Sequence, residues 1–292
     1  MQLNVGKNKT GLRGEITIPS DKSISHRAII LSALPRGESL IENFSKGADC
    51  HSTLSVLNSL GVQSEFKDEK TLIINSKRGF QKPNEELYCG NSGTTMRLMA
   101  GLFAGQNFSS TLTGDESLSK RPMRRVIEPL WRMGAKISSN NNKAPLVITG
   151  QHLEGIDYES ELASAQVKSC VLLAGLHANG KTNYMEPYLS RNHTERMLEY
   201  LGANISVKNA ITTIERSVLT PKTITVAGDI SSAAFFITAA LIVPNSDIII
   251  KNVGLNPTRT GIIDVVKQMG ADIEILDERL ISNEEVGEIG RH

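Results

Sequence analysis

The sequence predicts an α/β protein built from repeated β-α-β-α-β-β units, and three observations carry that expectation. First, four amphipathic segments close alike: TLSVLNSLGV, VIEPLWRMGA, RMLEYLGA and IIDVVKQMGA place Gly61, Gly134, Gly202 and Gly270 just past a helix. The glycines stand roughly 70 residues apart, an internal-repeat signal, and each suits the left-handed position that ends a helix. Second, a loop of small and polar residues opens an Ala/Leu-rich helix in every unit: SDKSISHRAII, GNSGTTMRLMAGLFAG, ASAQVKSCVLLAGLHANG and GDISSAAFFITAALIV. Apolar nearly all round, these helices are expected between a sheet and neighbouring helices. Third, β-rich stretches follow the helices: SLIENF, SSTLTG, TNYMEP and DIIIKN after the apolar ones, and AKISS, ANISV and ADIEI after three of the amphipathic ones.

The 292 residues are 39% hydrophobic, enough for more than one core. With 32 basic against 31 acidic side chains the formal net charge is +1. A broad basic field for nucleic acid is therefore excluded, and local clusters must carry any anion recognition. The start MQLNVGKNKT has no apolar core of the signal-peptide kind, and the longest greasy run, AAFFITAALIV at 233–243, is too short for a bilayer. No membrane partner and a cytoplasmic location are expected. Cys50, Cys89 and Cys170 are scattered without a CxxC pair, which suits reduced thiols in packing positions and no metal site.

The polar loops carry the chemistry. In IPSDKSISHRAII, 18–30, the grammar is strand, turn, helix, with Ser20 or Asp21 as cap. Lys22, Ser23, Ser25, His26 and Arg27 crowd that helix start. A first turn exposes N–H groups and partial positive charge, so cations there are disfavoured unless an anion joins them. GNSGTTMRL, 90–98, offers Gly90 and Gly93 for close backbone approach and Asn91, Thr94 and Thr95 as hydrogen-bonding groups, a nest for phosphate or carboxylate. A glycine-rich turn with an ordinary cap is the plainer alternative, and no GK[ST] follows to make it a Walker loop.

SLSKRPM, 117–123, sets Lys120 and Arg121 before Pro122, which is suited to start a helix running to Arg132. Arg124 and Arg125 follow it, and a solvated basic face is the competing explanation. SAQVKS, 164–169, combines Ser164, Gln166 and Lys168 at a third helix start, where hydroxyl and amide also suit plain capping. LSRNHTE, 189–195, adds Ser190, Arg191 and His193, with Asn192 or Thr194 as caps. Singly each motif is weak. Together, several repeat-equivalent helix starts carry cations or amide and hydroxyl donors in a nearly neutral protein.

PSDKSISHRA, GNSGTTMRLMAG, DESLSKRPM, ASAQVKS, SRNHTE and GDISSAAFF, in this order, closely resemble the family of 3-phosphoshikimate 1-carboxyvinyltransferases, the 5-enolpyruvylshikimate-3-phosphate (EPSP) synthases of the shikimate pathway. The resemblance runs over about residues 11–276. SAQVK and RNHTE look more like a bacterial subgroup whose glyphosate-insensitive members tend to carry Ala where this chain has Gly93. It implies two similar domains of three units each, closing over the substrates. Residues 20–228 then form one complete three-unit domain, and 1–19 with 229–292 form a partial second domain with one unit. The family's later IDE-type, KETDR-type and DHR-type motifs and its last phosphoenolpyruvate-binding lysine do not appear.

By the same resemblance, Lys22, Ser23 and Arg27 contact shikimate 3-phosphate, with Lys22 also reaching phosphoenolpyruvate and acting as the catalytic electrostatic and proton-transfer group. Ser164, Ala165 through its backbone, Gln166, Ser190 and His193 are further shikimate 3-phosphate contacts. Asn91, Gly93 and Arg121 belong to the phosphoenolpyruvate side. The implied reaction adds the shikimate 5-hydroxyl to C2 of protonated phosphoenolpyruvate, and the tetrahedral intermediate then loses phosphate. It requires no metal or organic cofactor, and a monomer is expected when full length.

Two readings compete. UDP-N-acetylglucosamine enolpyruvyl transferases share the architecture but usually carry a cysteine in the loop before their RP motif, and GDESLSKRP has none. A module that binds shikimate 3-phosphate without turnover is the other. The fourth unit is expected to lack cover for AAFFITAALIV and so to expose apolar surface that promotes self-association.

Overall fold

Residue 6 and residues 10–291 are described by the computed structural model. Strand β1 (Arg13–Thr17) leads to α1 (Lys22–Ser32), β2 (Glu38–Glu42), α2 (Ala48–Ser59), β3 (Gln63–Phe66) and β4 (Leu72–Asn75). The second repeat runs β5 (Leu87–Tyr88), α3 (Gly93–Ala104), β6 (Ser109–Thr113), α4 (Glu116–Ser119), α5 (Arg124–Arg132), β7 (Lys136–Asn140) and β8 (Lys143–Thr149). The third runs β9 (Asp157–Glu159), α6 (Ala165–Gly175), β10 (Thr182–Met185), α7 (His193–Tyr200), β11 (Ile205–Lys208) and β12 (Ile211–Ile214). Then come β13 (Thr223–Thr225), α8 (Ile230–Ile242), β14 (Asp247–Gly254), α9 (Gly261–Gln268), β15 (Glu274–Ile281) and β16 (Glu284–Arg291).

The four amphipathic helices end in one conformation. Gly61, Gly134, Gly202 and Gly270 have φ of +84°, +95°, +91° and +88°. Around Gly61, its N–H donates to the Asn58 carbonyl and that of Val62 to the Leu57 carbonyl; the same pair of bonds recurs at Gly134/Ala135, Gly202/Ala203 and Gly270/Ala271. These are Schellman endings, which satisfy carbonyls that a helix terminus otherwise orphans.

Each repeat closes a four-stranded sheet with one order: β13-β2-β4-β3, β5-β6-β8-β7, β9-β10-β12-β11 and β1-β14-β16-β15. The first two strands are parallel and the others antiparallel. The parallel pairs set equivalent apolar residues side by side: Ile224 with Ile41, Leu87 with Leu112, Tyr158 with Tyr184 and Ile16 with Ile250. The strand that precedes α1 in the chain pairs with β14, and the lead strand of the first sheet comes from β13.

Two compact units result: Lys22–Val226 with three sheets, and residues 227–291 together with the described residues up to Asp21, with one. In the larger unit, burial takes in nine of eleven residues of α1, ten of twelve of α3 and ten of eleven of α6. In the smaller unit α8 buries only Ile230, Ala233, Ile237 and Ala240, although its sequence is as apolar as the others. Phe235 is 79% and Ile242 74% exposed, so expected burial fails for this helix and the expected exposed apolar face is present. The buried stripe meets Ile248, Ile250 and Ile289 of the sheet. Arg259 ties the unit's loops together, donating to Asp21 and Asp229 at 3.2 Å each and to Ser231 at 2.7 Å.

Candidate functional site

The larger unit joins its helix starts through side chains that the polar loops supply. Lys22 is the first residue of α1, whose first turn has no acidic residue. Asp49, from the first turn of α2, provides the counter-charge at 3.0 Å, and the Lys22 side chain stays 52% exposed. One turn on, Arg27 is 4% exposed. Its Nε donates to Thr194 Oγ1 at 2.6 Å, Nη2 to Ser169 Oγ at 2.7 Å and Nη1 to the Ser23 carbonyl at 2.9 Å. Ser169 Oγ and Thr194 Oγ1 lie 2.6 Å apart, and Ser169 also donates to the Ala165 carbonyl at 2.5 Å. Arg191 Nη1 reaches Ser23 Oγ at 3.2 Å. A single guanidinium therefore fastens α1 to α6 and α7, with charge-assisted bonds that are stronger than neutral ones.

At α3, Ser92 is the cap: its Oγ accepts from Thr95 N at 3.1 Å. A hydroxyl chain leads from there through Thr95 and Thr53 to His26 Nδ1, with 2.7, 2.6 and 2.7 Å steps. His26 is fully buried, and desolvation, aided by Arg27, pushes its pKa down to about 3. Gly93 opens α3 beneath two guanidinium groups, since a Cβ there would sit 2.9 Å from Arg97 Nη1 and 3.3 Å from Arg121 Nη1. Arg97 Nη1 donates to Gln166 Oε1 at 2.6 Å, and Gln166 Nε2 to Thr94 Oγ1 at 2.9 Å, which joins α3 to α6. Burial, then Arg125 and Arg121, lower the Arg97 pKa. An anion placed here would relieve that repulsion.

Arg121 donates to Asn91 Oδ1 at 2.5 Å, and Asn91 Nδ2 to Asp115 Oδ2 at 2.7 Å. Asp115 caps α4, and its bonds with Leu118 N and Asn91 hold its carboxyl below the usual range. The expected helix after Pro122 begins at Arg124, and the short α4 precedes it. Lys120 is consequently the C-cap of α4, pairing with Glu116 at 2.5 Å, while Arg124 faces Glu128 at 3.4 Å. Those two cations belong to the solvated face; Arg121 alone of the run turns to the Asn91 loop.

Ser164 stands at the N-cap position of α6 without a side-chain capping bond, and Asn192 does the same at α7, its Oδ1 instead accepting from Arg196 at 3.1 Å. Ser190 Oγ is buried with no partner among the described residues. His193, first residue of α7, is 2% exposed, so its ring is packed inside the unit. At the starts of α1, α3, α6 and α7 the expected residues fall into bonded groups: Ser23, Arg27 and Ala165 through Ser169 and Thr194, Gln166 with Arg97 and Thr94, Asn91 with Arg121, and Ser190 with Lys168 and Glu186. Asp49, Arg97 and Ser169 join these groups without having been singled out, and Thr194, expected only as a cap, accepts from Arg27. The i+4 spacing of Arg97 from Gly93 was the available signal for one of them.

Beside Ser164 a cleft of about 580 Å³ opens. It mixes Arg124, Arg125 and Arg132 with Glu128, Glu159 and Glu161, a poor match to a dianion. The three cysteines are buried thiols outside any disulfide, and burial pushes the Cys89 thiol up to about 12.

Known proteins agree on what this architecture is. Residues 7–291 match the family described as EPSP synthase (3-phosphoshikimate 1-carboxyvinyltransferase). The 3-phosphoshikimate 1-carboxyvinyltransferase of Geotalea uraniireducens is 52% identical over 99% of this chain and 68% of its own length. That of Legionella pneumophila strain Corby is 49% identical over 98% of this chain and 67% of its own. The EPSP synthase structure from Acinetobacter baumannii superposes with a TM-score of 0.92 at 42% identity, covering 97% of this chain and 65% of that one. This chain thus spans about two thirds of the length of the relatives it matches. By sequence match and by fold, the chain belongs to the EPSP synthase family.

Proposed function

We propose that the chain serves the transfer of the enolpyruvyl group from phosphoenolpyruvate to the 5-hydroxyl of shikimate 3-phosphate, with release of phosphate, and that its larger unit holds shikimate 3-phosphate. The observation that carries this is the Arg27 junction, which locks the starts of α1, α6 and α7 against one another through Ser23, Ser169 and Thr194. Helix starts offer N–H groups to a phosphate without a reorganisation cost. Lys22, half exposed and paired with Asp49, supplies a solvent-accessible positive charge at the same end of α1.

On this reading phosphoenolpyruvate gains a proton at C3 while the 5-hydroxyl oxygen bonds to C2 and gives up its own proton; the tetrahedral intermediate then loses a proton from the C3 methyl and phosphate from C2, which restores the double bond. Lys22 stabilises the anionic groups and takes part in proton transfer; Arg121 and Arg97, poised over Gly93, meet phosphoenolpyruvate. Small molecules are the partners, a cytoplasmic monomer is the working form, and 20–228 is the functional domain. Calorimetric titration tests the reading. Shikimate 3-phosphate should bind at least a hundredfold more tightly than unphosphorylated shikimate, because the phosphate carries the contacts. Equal affinity for the two, or preference for UDP-N-acetylglucosamine, would overturn it.

A further inference from the structure

Lys168 is a full turn inside α6 and has no exposed surface. Burying an ammonium is costly unless it is paired and its hydrogens are used. Its Nζ lies 2.6 Å from Glu186 Oε1 and donates to the Ser190 carbonyl at 3.3 Å. It also lies 2.7 Å from Glu195 Oε1, in the first turn of α7. Glu186 Oε1 has a second task, accepting the Ser190 N–H at 2.9 Å. Both main-chain polar groups of Ser190 are therefore fixed by Lys168, the carbonyl directly and the amide through Glu186. The hydroxyl between them is the one group of Ser190 left over: Oγ is buried and partnerless among the described residues. A buried hydroxyl without a partner carries a desolvation penalty that a ligand oxygen removes.

We propose that Lys168 is a positioning residue: with Glu186 it clamps the backbone of Ser190 so that Ser190 Oγ is presented to shikimate 3-phosphate. This rests on the function proposed above. Lys168 does not touch the substrate, and its effect on binding passes through Ser190. A purely structural ion cluster would act on folding alone, or on binding independently of Ser190.

The two are separated by a double-mutant cycle read by calorimetric titration of shikimate 3-phosphate into the whole chain. The clamp is removed by Lys168→Met together with Glu186→Gln, which deletes a cation and an anion at once. Burial raises the pKa of the Glu195 carboxyl and Lys168 opposes that rise, so losing Lys168 favours proton uptake by Glu195 in the variant. Ser190→Ala should weaken binding about tenfold, the loss of one hydrogen bond to a charged group. Removing the clamp should weaken it about as much, and both changes together by no more than about twofold beyond either alone. Multiplying effects, on the order of a hundredfold in the combined variant, would overturn the proposal, as would a clamp variant that binds like wild type. If the clamp variant does not fold by circular dichroism, Glu186→Gln alone enters the same cycle with the same criteria. A wild-type chain that binds no shikimate 3-phosphate would remove the proposed function itself, a different result from additive variants.

Discussion

Gly93 lacks a side chain where two guanidinium groups converge, and this decides what substitution there does. A Cβ would meet Arg97 Nη1 at 2.9 Å and Arg121 Nη1 at 3.3 Å, both far ends of flexible side chains, so the guanidinium groups move and the backbone does not. Gly93→Ala should raise the Michaelis constant for phosphoenolpyruvate about tenfold, roughly one charge-assisted contact, and leave the shikimate 3-phosphate dissociation constant within about twofold. Steady-state kinetics beside calorimetry checks both; equal losses for the two ligands would contradict the placement of the arginines.

His26 sets a pH limit on stability. Its folded pKa of about 3 lies below the ordinary 6.5, so below pH 6.5 the unfolded chain binds the proton and the folded chain does not. Stability is thus lost as pH falls from about 6.5 towards 3, by roughly 2 kcal/mol at pH 5. Urea unfolding at pH 7 and pH 5 should show that loss in wild type and not in His26→Gln. The cations at helix starts were legible in sequence because they break a charge preference. Asp49 and Glu186 were not, because nothing local to Lys22 or Lys168 says which distant carboxylate packing will bring.

Among the elements, α3 and α6 make the closest approach that bears on the site. A Cβ on Gly101 would fall 2.1 Å from the Cys170 carbonyl oxygen, which belongs to backbone and cannot turn aside. One turn earlier on each helix stand Arg97 and Gln166, joined at 2.6 Å. The crossing at Gly101 thereby sets the pairing that assembles the site. Gly101→Ala should cost roughly 3 kcal/mol in chemical unfolding, as overpacking against backbone does. Gly270→Ala, with nothing within 4 Å but φ of +88°, should cost only about 1 kcal/mol. A smaller loss at Gly101 than at Gly270 would contradict the crossing. Helix ends could be read from sequence because only glycine relieves their left-handed turn. The lead strand of the first sheet could not, since β13 lies far along the chain from its parallel partner β2. The short α4 was also hidden, because Asp115 and the turn before Pro122 make it.

At the scale of the molecule, near-neutral net charge and local cation clusters belong together: the field is concentrated where helix starts meet, inside the larger unit. The smaller unit repeats the same β-α-β-α-β-β plan around its own core and leaves one face of α8 open to solvent, with Phe235 and Phe236 on it. The central claim is that the larger unit's helix starts are the shikimate 3-phosphate site. The most direct test is backbone amide NMR of the whole chain during titration with shikimate 3-phosphate. The account predicts saturable shifts at Ser23, Ser164–Gln166 and Ser190, with the α8 amides unmoved. Shifts confined to residues 227–291, or no saturable shift at any of those amides, would contradict it.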